Sequence, residues 1–393
     1  MRSASFLYRR YSVVVLVAGL VVLMLAIYGA GRNQINDRFT QFISEKYEYR
    51  TDTDYINQHA GGVNSLEFVV VSGPNSVLAN PFIASLSSAV EEIRDLSGVV
   101  SVLSITNVIE RMNKLINTKE EILQIALSEL QDNTLSEYFL VYEMSLPEGV
   151  DVDNLVDISK ESTRLLVGTD MVDSRNLLEL EQRIDSVLVE KMGDNVDFMS
   201  ASTSTVISRI GFLAVVGGVF GAIAALLIIS GMIGLLFRSW KIYLMATVIN
   251  TIPVVMGFGI WGLTHAELGL NLSVSLGVAV GVIVDDTVHI LHHYQRGLKD
   301  GMDRVAAIDW SMQQVTNAIT MSTLVIITGF MPMLFSDYQV IHDNALMMIY
   351  IVAFAFIYDL LVLPAAIVFF SKKRESSDAT KATSTPITGT FQP

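Results

Sequence analysis

Six long apolar runs constrain this chain more than any other feature. They are Tyr11–Tyr28, Ile207–Leu236, Trp240–Leu263, Leu270–Leu291, Val315–Phe335 and Ala345–Phe370. A hydrocarbon core about 30 Å thick is crossed by roughly 20 helical residues, each advancing the helix by about 1.5 Å. Lipid offers no partner for backbone N–H and C=O groups, so such runs fold as helices that satisfy their own. One run precedes a polar block, about Gly31 to Thr205, and five follow it with short links. The expected order is therefore one span, one large soluble domain and five spans. Composition agrees: the 393 residues are 51% hydrophobic and 17% charged. A mean hydropathy of +0.47 is too apolar for an ordinary soluble domain.

The first run follows Arg9 and Arg10, as a signal peptide would. Its apolar stretch of roughly 17 residues exceeds the usual 7–15, so it reads as an uncleaved helix. Orientation follows from basic residues in short links. Arg2, Arg9 and Arg10, then Arg238 and Lys241, then Arg296, Lys299 and Arg304, and finally Lys372, Lys373 and Arg374 all fall on one side of a six-span chain. The links His265–Gly269 and Ser336–Asp343 carry no Lys or Arg. The expectation is a multi-pass protein of the plasma (inner) membrane with both termini cytoplasmic and the soluble block outside. A formal net charge of −14 with no basic stripe argues against a nucleic-acid partner. With no cysteines there are no disulfides, thiolate metal sites or cysteine nucleophiles.

In the soluble block, Ser65–Gly73, Gly98–Thr106, Tyr138–Leu146, Thr163–Val172 and Val196–Ser200 read as strands. Asn80–Leu96 reads as a helix with Asn80 capping and Pro81 opening it. Thr118–Leu130 reads as a helix with Glu120 and Glu121 in its first turn, and Ser174–Met192 as an amphipathic helix. The alternation suggests a ferredoxin-like α+β sandwich. Its lone His59 reads as a surface or packing residue.

The segment GVIVDDTVHILHHYQRG, Gly281–Gly297, places Asp285 and Asp286 near mid-depth of the fourth run. A charge there costs at least about 2.5–3.5 kcal/mol, which marks the pair as functional by default. Adjacent helical residues point about 100° apart, so one acid cannot easily hide behind the other. His289 lies one turn on from Asp285, within reach along the same face, and His292 and His293 continue toward the cytoplasm. Two neighbouring acids titrate as a coupled unit, as a proton carrier requires. Gly277 and Gly281 make a small face that would let a neighbouring helix pack closely. Hydroxyls at Thr320, Thr323 and Thr328 of the fifth run could serve the acids, or bond their own i−4 carbonyls. Asp359 of the sixth run is a third intramembrane acid; it either binds a proton or caps backbone freed by Pro364. No cofactor is expected. One straight helix cannot bring three histidines round a metal, and no nucleophile or phosphate loop suggests an enzyme.

GVAVGVIVDDTVHILHHYQRG resembles the fourth-helix signature of the RND superfamily, closest to the MMPL-like, predicted-exporter branch related to Patched and sterol-sensing-domain proteins. YFLVYEMSLPEG (Tyr138–Gly149), LLFRSWKI (Leu235–Ile242), Pro253, AITMSTLVIITGFMPMLFS (Ala318–Ser336) and DLLVLPA (Asp359–Ala365) match the family in order. The resemblance implies an α-helical membrane protein of six transmembrane helices (1+5) with a ferredoxin-like porter domain inserted between helices one and two. The domains would be 1–30, 31–205, 206–370 and a disordered tail, 371–393. It implies a proton relay through Asp285 first and Asp286 second, driving outward movement of a hydrophobic or lipid-like substrate; His289 is added as a relay partner on its spacing alone. The match is to the C-terminal half of such transporters alone, so a homodimer or a pairing with a sister half is expected, in contact with membrane lipid. Two other readings stay open: a lipid- or sterol-sensing protein that does not transport, and an accessory to protein export like the SecDF branch.

Overall fold

The structure is a computed structural model. It describes residues 2–38, 42–59, 62–72, 77–116, 127–147, 152, 154–193, 196–369 and 371. Most of the helix expected over Thr118–Leu130, and the tail beyond residue 371, lie outside these. The chain divides into two compact units, Met1–Ile35 with Leu213–Pro393, and Asn36–Phe212. The first begins with α1 (Arg2–Arg10), α2 (Ser12–Ala30) and a short strand, β1 (Gln34–Ile35).

The second unit follows. It comprises α3 (Glu48–His59), β2 (Asn64–Val71), α4 (Asn80–Arg94), β3 (Val99–Leu103), α5 (Ile105–Ile116), α6 (Asp132–Ser145), β4 (Ser162–Thr169), α7 (Ser174–Met192) and β5 (Asp197–Ser200). Its sheet runs β3-β4-β2-β5, with every neighbour antiparallel. Strand alternation turns Leu66, Phe68 and Val70, with Leu165 and Val167, onto one face. There they join Ile83, Leu86, Val90 and Ile93 of α4 and Leu177, Leu180, Ile184 and Leu188 of α7 in one core. Each such side chain contributes about 1.5–3 kcal/mol by leaving water.

Two expectations fail here. Tyr138–Leu146 is not a strand but part of α6. Leu135, Tyr138, Phe139, Tyr142 and Leu146 sit on the core at helical spacing, and that period outweighs the β-prone composition. Asn80 does not cap α4. The N-cap is Ala79; the Asn80 N–H donates to Asp132 at 2.7 Å, while its amide donates to the Leu127, Ser128 and Leu130 carbonyls. The asparagine thus ties α4 to the turn before α6. Asp173 does cap α7, accepting from the Asn176 N–H.

Glu181 of α7 is buried, and Arg209 donates to it at 2.6 Å. Burial and the nearby Glu181 push the Asp185 carboxyl up, against the pull of Arg209. Arg209→Ala strands a buried charge and is expected to cost about 1–3 kcal/mol. Asp185, with a raised folded pKa, is best tolerated when protonated and opposes folding as pH rises through that value. Thermal unfolding of the full chain in detergent should therefore show the largest deficit at neutral pH, narrowing in acid. A flat deficit across that range would contradict this.

The remaining elements are α8 (Thr203–Leu236), α9 (Trp240–Thr264), β6 (Glu267–Leu268), α10 (Leu270–Lys299), α11 (Arg304–Phe330) and α12 (Gln339–Ile357). A π-helical turn, Tyr358–Val362, follows α12 and the helix continues to Phe369. Among the described residues, six helices are long and apolar enough to cross a membrane, and they match the six runs in order. β1 pairs in parallel with β6. α2 packs on α9 through Ala26, Gly29, Gly259 and Gly262: a methyl group at Gly259 would overlap the Ala26 carbonyl, and one at Gly262 the Gly29 carbonyl. Tyr8 of α1 is buried among Ile290, Tyr294, Ile308 and Leu363. Its hydroxyl donates to Asp309 of α11 at 2.7 Å, and Arg9 pairs with the same carboxylate.

Candidate functional site: a polar seam inside the helical unit

α10 is 30 residues long, about 45 Å, and its two acids lie at its middle. The rotation between them separates their surroundings. Asp285 is exposed, with 75% of its side chain accessible, and His289 Nε2 lies 3.7 Å from it, beyond hydrogen-bond length. Gly277, Val278, Gly281, Asp285, His289 and His292 form one exposed stripe down α10. Gly277 and Gly281 therefore do not pack against a helix of this chain: nothing lies within 4 Å of where their side chains would start. The close small-residue crossing is the one between α2 and α9.

Asp286 turns the other way. It is half-buried and faces Ser322 of α11. The next residue, Thr287, is fully buried and donates to Asn250 of α9 at 2.7 Å; Asn250 is fully buried as well. Asp359 sits in the π-helical turn, 1% exposed, where both Asp286 and the Thr287 hydroxyl act on it. π-turns inside α-helices recur at functional sites, and Pro364, which lacks an N–H, lies just beyond this one. The Asp359 Oδ2 has no hydrogen-bond partner, so it caps no freed backbone group. The seam thus draws Asn250, Asp286, Thr287, Ser322 and Asp359 together from α9, α10, α11 and the turn after α12.

Two of the α11 threonines bond their own helix. Thr320 donates to the Thr316 carbonyl at 2.7 Å and Thr328 to the Leu324 carbonyl at 2.7 Å, each within its own helix. Thr323 is buried. Ser322, beside Asp286, likewise donates to its own helix, to the Ile319 carbonyl at 3.0 Å. His293 is part-buried, with its ring edge-on to Trp310 at 5.6 Å. Among the described residues, no group of three or more His, Asp or Glu side chains could hold a metal ion. Asn250 was open to detection from sequence, because an amide inside an apolar run carries its own desolvation cost. Ser322 carried no such signal.

An apolar crevice of about 340 Å³ opens between α8, α9 and α10, walled by Val219, Ile223, Leu226, Val254, Phe258 and Leu276. Asn33 stands among its lining residues and donates to the Phe258 carbonyl at 2.9 Å.

A family model described as the AcrB/AcrD/AcrF family matches residues 162–391. A search of curated proteins gave no match.

Proposed function

The chain belongs to the AcrB/AcrD/AcrF family of RND permeases, multi-pass membrane transporters, and on that premise we propose that it is a proton-driven exporter of the MMPL-like branch. The observation that carries the reading is the inward turn of Asp286. An acid held among Ser322, Asp359 and apolar side chains can take a proton in a setting that favours neutrality. It can then release it when the helices shift and water reaches it. A charge moved across the full membrane field is worth about 2.3 kcal/mol per 100 mV, which is the work available to the outer unit. Asp285 and His289 then belong to the stripe on the opposite side.

The second unit, with strand–helix order β-α-β-β-α-β around two added helices, is read as the extracytoplasmic porter domain, with both termini cytoplasmic. The crevice beside α9 suits one acyl chain or another slender apolar group, so the cargo is read as hydrophobic or lipid-like. A sensor that binds lipid without transport would use the same crevice; it predicts intact function when Asp286 is neutralised.

The stripe on α10 needs cover, because Asp285 facing acyl chains would cost at least about 2.5–3.5 kcal/mol. A second six-helix unit, either another copy or a sister half, supplies it. The native chain has no cysteine, so Gly281→Cys gives a clean probe. Oxidation in membranes is expected to join two copies at Gly281 but not at Leu213, which lies on an exposed part of α8. Equal joining at both positions would argue against this interface. The transport reading itself is tested by pH-gradient-driven efflux of a fluorescent lipid from vesicles, wild type against Asp286→Asn.

A further inference from the structure

Two buried polar atoms of the seam are left without a hydrogen-bond partner: Nδ2 of Asn250 and Oδ2 of Asp359. One is a donor and the other an acceptor. Thr287 connects the two side chains, giving its proton to Asn250 Oδ1 and standing against the Asp359 carboxylate. All three residues are at most 1% exposed. Leaving either atom unpaired carries its full desolvation cost, and one water satisfies both by accepting from the amide and donating to the carboxylate. A bare metal cation would satisfy the carboxylate but would be repelled by the amide N–H groups.

We propose that Asn250, Thr287 and Asp359 form a second proton station, built around one bound water, that receives the proton carried by Asp286. The proposal rests on the transport reading above. In the transfer, the O–H bond of the Asp286 carboxyl breaks and its proton passes to the water. A different proton of that water forms an O–H bond with Asp359 Oδ2. Asp286 is left ionised, Asp359 neutral, and the water unchanged in composition. Asn250 is a positioning residue, acting through the water and through Thr287. The π-helical turn gives the station a means of movement, since returning it to α-helix would rotate Asp359 relative to α10.

Infrared difference spectra of the full chain in phospholipid vesicles, recorded across a pH jump, test this without a transported substrate. Two carboxylic-acid carbonyl bands are expected, one missing in Asp286→Asn and the other in Asp359→Asn. In Asn250→Leu the Asp359 band should move to higher frequency and lose its sensitivity to heavy-oxygen water. Asn250→Ser, which leaves room and a hydroxyl for the water, should restore both properties and guards against simple misfolding. An Asp359 band that is absent at every pH, or unmoved in Asn250→Leu with Asn250→Ser also like wild type, would overturn the station. If the Asp286 band titrates and Asp359 is silent, the station falls and the transport reading stands. If both are silent, both fall.

Discussion

Asp286→Asn is expected to abolish gradient-driven efflux while the protein still reaches the membrane and folds. Asparagine has nearly the same size, so packing in the seam changes little. It cannot gain and lose a proton. Removing a required proton-transfer group typically costs about 100-fold or more in rate. Efflux of a fluorescent lipid from vesicles with an imposed pH gradient should fall to the level of protein-free vesicles. Asp286→Glu should retain part of the rate, because it keeps the ionisable group at the expense of one extra methylene. Efflux at the wild-type rate in Asp286→Asn would remove this acid from the mechanism.

The second large effect is structural. Gly259→Leu is expected to prevent stable assembly of the helical unit. α2 touches α9 through bare backbone at Ala26, Gly29, Gly259 and Gly262, and any side chain at Gly259 meets the Ala26 carbonyl. The neighbour is main chain rather than a flexible side chain, so relief requires the two helices to part. Overpacking of this kind costs about 1–3 kcal/mol where side chains can adjust, and more is expected here. The measurement is the fraction of monodisperse protein recovered in mild detergent, with Gly277→Leu as the comparison. Gly277 faces open space in this chain, so its replacement should leave monomer recovery near wild type. Equal losses at the two positions would contradict the packing described.

The six spans were legible because length and hydropathy suffice to define them: a run of roughly 20 apolar residues has one stable form in lipid. The extent of α7 was legible for a similar reason, since Leu177, Leu180, Ile184 and Leu188 recur at helical spacing within Ser174–Met192. Rotation about a helix axis is different. Asp285 and Asp286 are neighbours in sequence, and which of them faces the interior depends on how α10 meets α11 and the turn after α12. The resemblance favoured Asp285, whereas the packing puts Asp286 beside Ser322 and Asp359. The same limit explains Gly277 and Gly281, whose spacing suits a close helix crossing that α10 does not make within this chain. In the soluble unit, Tyr138–Leu146 has strand-like composition, and only the positions of Leu135, Tyr138, Phe139 and Tyr142 against the core reveal the helical period.

The central claim is that an acid inside the bilayer takes up and releases a proton. The most direct measurement is modification of membranes by a lipid-soluble carbodiimide, which attacks protonated carboxyls, with the adducts located by mass spectrometry over a range of pH. The account predicts an adduct on Asp286 that rises as pH falls, is absent in Asp286→Asn, and does not form with a water-soluble carbodiimide added from either side. Failure of Asp286 to react at any pH, or equal reaction with the water-soluble reagent, would contradict it.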